Sequence, residues 1–404
     1  MATGQYLTEV AVALAQRGHK VTVVASRRGY DHPERVFQAR ETWRGVRILR
    51  IGSTGFGKGA RWKRAADFAT FLGSCMFRLM FLPRQDVTVA LTSPPLISFL
   101  GAWFAKLRGG RFVYWVMDLN PDEAIAAGWL RPESIAARGL EWISRFSFRQ
   151  ADAVVALDRF MRDRIVAKGV PGSKVHVLPP WSHDGEVRFD FAGREAFRKA
   201  HGLQDKFVVM YSGNHSPCHP LDTLLAAADR LSSDKEIVFC FVGGGSEWRK
   251  IQERVMSRSE KGNVRCLPYQ PLNELSASLS AADLHVVVMG DPFVGVVHPC
   301  KIYNVLSVAA PVLCIGPERS HLSEIAQELG PDYPWALARH GEVDAVVKRI
   351  REFRSRGPLR ARAAPAGVCA SFAQGAILPR LIAVLENNRT HPLSGSNSSR
   401  EHTN

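Results

Sequence analysis

A lysine in the first turn of a helix, just behind a glycine loop, is chemically suited to hold a diphosphate, and this chain offers one at Lys301. The surrounding stretch is DPFVGVVHPCKIYNVLSVAAPVLC, from Asp291 to Cys314. The run before it, Leu284 to Met289, is apolar and rich in β-branched residues, so it reads as a buried parallel strand. A loop containing Gly295 and Pro299 follows, then a helix over about Cys300–Ala309 and a further strand at Pro311–Cys314. Strand, glycine loop, helix and strand make one βαβ unit. Open α/β sheets bind ligands at the carboxyl ends of their strands, where free helix amides favour an anion. Lys301 would add a full positive charge there.

The same alternation runs through the rest of the chain. Helix Tyr6–Arg17 leads to strand Val21–Ala25, and Val46–Ile51 reads as another strand. A long helix, Arg61–Leu82, carries Arg61, Lys63 and Arg64 at its head and a greasy second half, which suits either a core helix or a membrane-docking surface. Strands Val87–Leu91, Phe112–Val116, Ala153–Leu157 and Val175–Leu178 complete a first sheet, with helices between them and Asp158 opening the helix Arg159–Lys168. Ser182–Ala200 reads as hinge and linker. A second unit starts at strand Phe207–Tyr211, which ends in Ser212-Gly213-Asn214-His215-Ser216-Pro217-Cys218-His219-Pro220. Strand Ile237–Val242 then runs into Gly243-Gly244-Gly245, where backbone could approach a ligand closely, although any tight βα turn would use the same glycines. Val264–Leu267 and its turn Pro268-Tyr269 precede the opening stretch. The expected division is 1–185 for the first domain, 186–369 for the second, a helix at about 370–385 crossing back, and a disordered polar tail at 386–404.

Gly295-Val296-Val297-His298-Pro299-Cys300-Lys301-Ile302-Tyr303 resembles the donor-site segment of family 4 glycosyltransferases. The likeness is to the branch with a Gly-Val-x-x-Pro-Ser-Lys-x-Tyr pattern, which builds bacterial capsule, O-antigen, colanic acid and other surface polysaccharides. Thr92-Ser93-Pro94-Pro95 and Asp118-Leu119-Asn120-Pro121-Asp122 resemble that branch as well. The resemblance implies a GT-B fold, two Rossmann-like α/β domains with parallel sheets facing a central cleft. It also implies that a first strand, normally ahead of Thr3 and Gly4, is missing, with these two residues as the tail of an acceptor-side loop.

Under the resemblance the donor site comprises Gly213, Asn214, His219, Gly243, Pro268, Tyr269, Gly295, Val296, Lys301 and Tyr303, with Pro268 and Tyr269 at the nucleobase. The wider family has two glutamates at the places of Val296 and Asn304, and an Arg and a Lys at those of Asn214 and His219. Asn214 can give only neutral hydrogen bonds, His219 could pair with phosphate when protonated, and Lys301 would carry more of the neutralisation. Asp118, where the domains face each other, could orient or deprotonate an acceptor hydroxyl. It could equally cap the helix after Pro121.

Composition narrows the classes. The 404 residues, 46% apolar and 23% charged, have room for two cores, and no run of eighteen apolar residues suggests a spanning helix. Seven cysteines without a C-x-x-C pair read as reduced, buried thiols of a cytoplasmic protein without a signal peptide. The formal charge of +15 suggests an anionic partner. No nucleic-acid signature accompanies it, so a diphosphate substrate and an anionic membrane face remain, beside a plainly solvated surface.

No Asp-x-Asp pair occurs, which disfavours a metal-dependent GT-A enzyme, and neither metal nor cofactor is expected. The expected activity is transfer of a sugar from a nucleotide sugar to a hydroxyl of a lipid-linked glycan, with retention implied by the family, at the cytoplasmic face of the inner membrane. The alternatives are a sugar-nucleotide epimerase of the same architecture and a non-catalytic binding subunit of a polysaccharide assembly complex.

Overall fold

The computed structural model describes residues 2–29, 34–57, 61–94, 96–182, 187–256, 262–357 and 366–387. Two sheet systems stand side by side. In the first half, β1 (Thr22–Ser26), β2 (Arg40–Trp43) and β3 (Val46–Ile51) form a three-stranded sheet of order β1-β3-β2. β1 runs parallel to β3, and β2 antiparallel to it. The strands β4 (Val87–Ala90), β5 (Arg111–Trp115), β6 (Ala153–Ala156) and β7 (Val175–Val177) form a separate all-parallel sheet in sequence order. The central strands β5 and β6, with Val-, Ala- and aromatic-rich runs, are buried on both faces, as parallel strands covered by helices must be.

The helix Ala2–Gln16 sends Tyr6 and Val10 into that core. The helix Gln374–Glu386 sends Ile377, Leu381 and Leu385 into the same core, so the end of the described chain packs on its beginning. Arg17 clamps Glu386 through both carboxylate oxygens at 2.8 and 2.9 Å, and Arg111 Nη1 donates to the Leu385 carbonyl at 3.0 Å.

In the second half, β8 (Phe207–Asn214), β9 (Ile237–Gly244), β10 (Val264–Leu267), β11 (Leu284–Val288), β12 (Val312–Ile315) and β13 (Trp335–Ala338) make one parallel sheet of order β10-β9-β8-β11-β12-β13. The order reverses between β8 and β11. That is a topological switch point, where the loops leaving two adjacent strands diverge and open a crevice.

Several elements differ from the sequence expectation. The expected linker contains a helix, Phe191–Ala200, capped by the Asp190 side chain. Arg194 and Arg198 on this helix grip the nearly buried Asp283 at 2.6 and 3.1 Å, which fastens it to the second sheet. β2 and β13 are short and lack a strong hydrophobic pattern, and neither was expected. The polar tail does not start at Glu386, which is helical, and residues 388–404 lie outside the described residues, as does Pro95. Among the described residues no helix is long and apolar enough to cross a membrane.

Candidate active site

The two loops that open the switch point are those after β8 and β11, and they meet at Lys301. Gly213 has φ 139°, and a Cβ placed on it would stand 3.1 Å from Lys301 Cε, so the lysine stem lies directly on the glycine. Gly243, at φ 135°, nests behind, since its Cβ would stand 2.1 Å from the Gly213 carbonyl oxygen. The Lys301 ammonium sits 3.7 Å from the centroid of the Tyr211 ring. Its Nζ is buried without a hydrogen-bond partner, and this burial pulls the pKa down to about 7. An ammonium with three unused donors, resting on a ring face, has the chemistry to hold an anion.

The helix that starts at Lys301 runs only to Ser307, so its dipole adds little and the side chain carries the charge.

Two histidines flank the seat. His215 is fully buried with its ring edge-on to Trp248 at 4.7 Å, and burial, then Lys301, lowers its pKa to about 4. His219 is also held well below its ordinary value, by burial first and Lys301 second, and its Nδ1 has no hydrogen-bond partner. In the absence of an anion, burial and Lys301 both disfavour the charged form of His219. A neutral imidazole beside Lys301 offers one uncharged hydrogen bond. Asn214 is exposed at the end of β8, its side-chain oxygen turned toward Gly245. Pro268 and Tyr269 form an exposed turn after β10. The Tyr269 hydroxyl donates to the Gly244 carbonyl at 3.0 Å, and its ring edge lies 3.1 Å from where a Gly244 Cβ would stand. Aromatic wall and glycine loop thus come together.

Three expected donor contacts point elsewhere, because the loop between β11 and Lys301 runs along the first domain. Gly295, at φ 69°, faces the Phe160 backbone, where an added Cβ would approach to 2.6 Å. Val296 is buried in the first domain's core cluster, and its carbonyl accepts from Leu119 N–H at 2.8 Å. Tyr303 is buried with its hydroxyl 2.7 Å from His298 Nε2. Gly295 and Val296 thus contact the first domain, and Tyr303 contacts His298.

Across the cleft, Asp118 follows β5 with its backbone N–H donating to Thr92 Oγ1 at 3.2 Å. Burial, and then the neighbouring Glu123, pushes its pKa up to about 7. The helix Asp122–Ala126 has Pro121 at its cap and no side-chain cap, so the capping role for Asp118 is not observed. Cys218, from the loop after β8, points its Sγ at Glu123 Oε1 at 3.7 Å, so the β8 loop touches the carboxylate side of the cleft. Thr3 and Gly4 lie in the first turn of a helix, not in a loop; Gly4 is exposed, and the Thr3 side chain lies outside the described residues. Glu123, His215 and Cys218 escaped the sequence reading, because nothing local distinguishes them from packing residues.

Two α/β halves built on parallel sheets, facing each other across a cleft with a carboxylate on one side and a buried lysine on the other, have the architecture of a GT-B glycosyltransferase. The description "Glycosyl transferase 4-like domain" matches residues 2–181, and "Glycosyl transferases group 1" matches residues 193–367. Together the two matches span most of the chain, which belongs to the family 4 glycosyltransferases.

It is 26% identical over 340 residues to the putative colanic acid biosynthesis glycosyl transferase WcaI of Escherichia coli K12, covering 80% of this chain and 82% of that one. It is 26% identical over 263 residues to the probable glycosyltransferase WbjE of Pseudomonas aeruginosa, covering 63% and 65%. In fold it is similar to a sucrose-phosphate synthase from Thermosynechococcus elongatus, with TM-score 0.71 and 16% identity over 96% of this chain and 93% of that one. Anabaena HepE, solved in complex with UDP-glucose, superposes with TM-score 0.65 and 14% identity over 85% and 86%.

Proposed function

We propose that this enzyme transfers a sugar from a nucleotide-sugar donor to a hydroxyl of a lipid-linked glycan, with retention at the anomeric carbon and without a metal on the diphosphate. The observation that carries the reading is the buried, unpartnered Lys301 ammonium at the switch point. A diphosphate placed against it would gain a charge-assisted bond to a buried ammonium. The glycine backbones at 213 and 243 leave room for the phosphates, and the exposed Tyr269 ring offers a face for the base. HepE, of the same fold, has been captured with UDP-glucose, which favours a nucleotide sugar here too. In the transfer the anomeric C–O bond to the diphosphate breaks and a new one forms to the acceptor oxygen. The leaving phosphate takes the acceptor's proton, and Asp118 orients the hydroxyl.

Lys301 offers a cation beside the phosphates, and the sequence has no Asp-x-Asp pair to hold a divalent metal there. The lipid side of the acceptor is supported by the helix Arg61–Met80. Its Met76, Phe77 and Met80, and Phe81 just after it, stand exposed beside Arg78, and Arg108 from the next helix donates to the Met80 carbonyl. Apolar side chains ringed by guanidinium groups suit the anionic cytoplasmic leaflet.

Calorimetry with UDP, GDP, dTDP and CMP, with and without EDTA, tests the donor site. One nucleotide should bind saturably, indifferent to EDTA, and Lys301→Ala should lose it. Binding of none, or wild-type transfer by Lys301→Ala, would sink the reading.

A further inference from the structure

Away from the lysine seat, the seam between the domains holds a second polar cluster. Asp158, His298 and His321 bring one ligand-capable atom each to within 4.8 Å of one another, and all three residues are buried. They come from three separate elements. Asp158 caps the helix Arg159–Ala167 of the first domain, His298 lies in the loop between β11 and Lys301, and His321 opens the helix His321–Leu329. None of them is accounted for by the donor seat or by Asp118.

Two of the three are already oriented. His298 presents Nδ1 to Asp158 Oδ2 at 2.8 Å, while its Nε2 lies 2.7 Å from the Tyr303 hydroxyl. Asp158 Oδ1 accepts the Met161 N–H at 2.8 Å, which fixes the carboxylate and leaves Oδ2 facing the histidines. The third is not satisfied. His321 stacks on His298 with ring centroids 4.0 Å apart, and its Nδ1 stands 3.9 Å from Asp158 Oδ2. Yet neither of its ring nitrogens has a hydrogen-bond partner, although the residue is only 3% exposed. A neutral imidazole carries one N–H and one lone pair, and burying both unmatched is costly. The packing therefore aims an unused nitrogen at a carboxylate oxygen beyond hydrogen-bond reach, with a second imidazole alongside.

We propose that Asp158, His298 and His321 form a transition-metal site of the zinc class that pins the two domains together. Two imidazole nitrogens and one carboxylate oxygen are the donor set that zinc accepts, whereas magnesium and calcium favour oxygen alone. The cation sits between His298 Nδ1 and Asp158 Oδ2, with any proton of that contact released to solvent, takes the His321 nitrogen as its third ligand, and keeps one position for water. The surroundings supply the outer hydrogen bonds such ligands need. Tyr303 accepts the His298 Nε2–H and so frees Nδ1 for the metal, and the Met161 amide holds the far carboxylate oxygen. The site is separate from the diphosphate, whose counter-charge remains Lys301.

The test uses the full chain, purified untagged and without chelators, with elemental analysis, then cobalt(II) and zinc titration of the EDTA-stripped protein followed by absorption and thermal unfolding. The expected result is about one zinc per chain, cobalt absorption of a nitrogen–oxygen site, and a zinc-dependent rise in Tm of several degrees, as a ligand bound only by the folded state requires. His321→Ala should fold with the Tm of the stripped protein and lose the cobalt signal, and Asp158→Asn should do the same. The inference is overturned if the wild type takes up no stoichiometric metal at micromolar zinc. It is equally overturned if both variants bind as the wild type does, which would place the metal on other histidines or cysteines.

Discussion

The two halves of the molecule solve the same architectural problem differently. The second half has one continuous six-stranded sheet with its switch point in the middle, and its functional loops leave two adjacent strands, β8 and β11. The first half has two sheets, of three and four strands, with no ladder between them among the described residues. Its cleft carboxylate follows β5, well inside the four-stranded piece. The contrast teaches where rigidity is spent. On the donor side, the Lys301 stem lies on Gly213, and Gly243 packs tightly against the Gly213 backbone. On the acceptor side the carboxylate is secured by local bonds, such as that from its N–H to Thr92, and the helices around it present exposed apolar residues.

If the donor half carries the binding charge, the largest effect belongs to Lys301. Lys301→Ala should lower kcat/KM by roughly 10²–10³-fold, the size seen when one preorganised charge-stabilising donor is lost. Nucleotide affinity should fall with it. A variant with normal nucleotide binding but no transfer would move the charge role elsewhere and break the assignment.

Asp118 sharpens the comparison from the other side of the cleft. Asp118→Asn should cost on the order of 10²-fold in kcat and leave nucleotide binding unchanged. The pH dependence separates the halves further. Asp118, raised to about 7, is useful only when ionised, so turnover should climb as pH rises through that value. Lys301, lowered to about 7, binds an anion only when protonated, so donor affinity should fall as pH rises past the same value. The profile of kcat/KM should then peak near neutrality. Lys301→Arg, if it binds at all, should lose the alkaline fall, because a guanidinium stays charged.

Much of the second sheet was readable in advance, because β8, β9 and β11 are apolar runs bounded by glycines, and the Lys301 seat follows from strand, loop and helix in series. What escaped has physical causes. β13 is the four-residue Trp335–Ala338 and has no pattern of its own; it exists because β12 offers an open edge. The helix Phe191–Ala200 is amphipathic, but its stability comes from Asp283, some ninety positions away. Gly295, Val296 and Tyr303 are placed at the donor by the resemblance, and the backbone contacts of Gly295 and Val296 to the first domain leave no local trace in the sequence. The Asp158–His298 pair spans 140 positions, and a contact at that range leaves no local trace.

Glycines offer the finest test of the difference between the halves. Gly243→Ala would drive a Cβ to 2.1 Å from the Gly213 carbonyl at a φ that L-residues avoid, so denaturant unfolding should show a loss of about 3 kcal/mol. Gly73 is the counterpart in the first half. It sits exposed within the helix Arg61–Met80, and an added Cβ would meet nothing within 4 Å. Gly73→Ala should therefore stabilise by about 0.5–1 kcal/mol, through the smaller backbone entropy the helix must overcome. Because Gly73 lies one turn before Phe77 on the face proposed to meet lipid, the same variant should leave vesicle binding intact. A stabilised protein that no longer sediments with anionic vesicles would mean that this helix must loosen to dock, and the first half's rigidity would then be set by its membrane contact instead of its sheet.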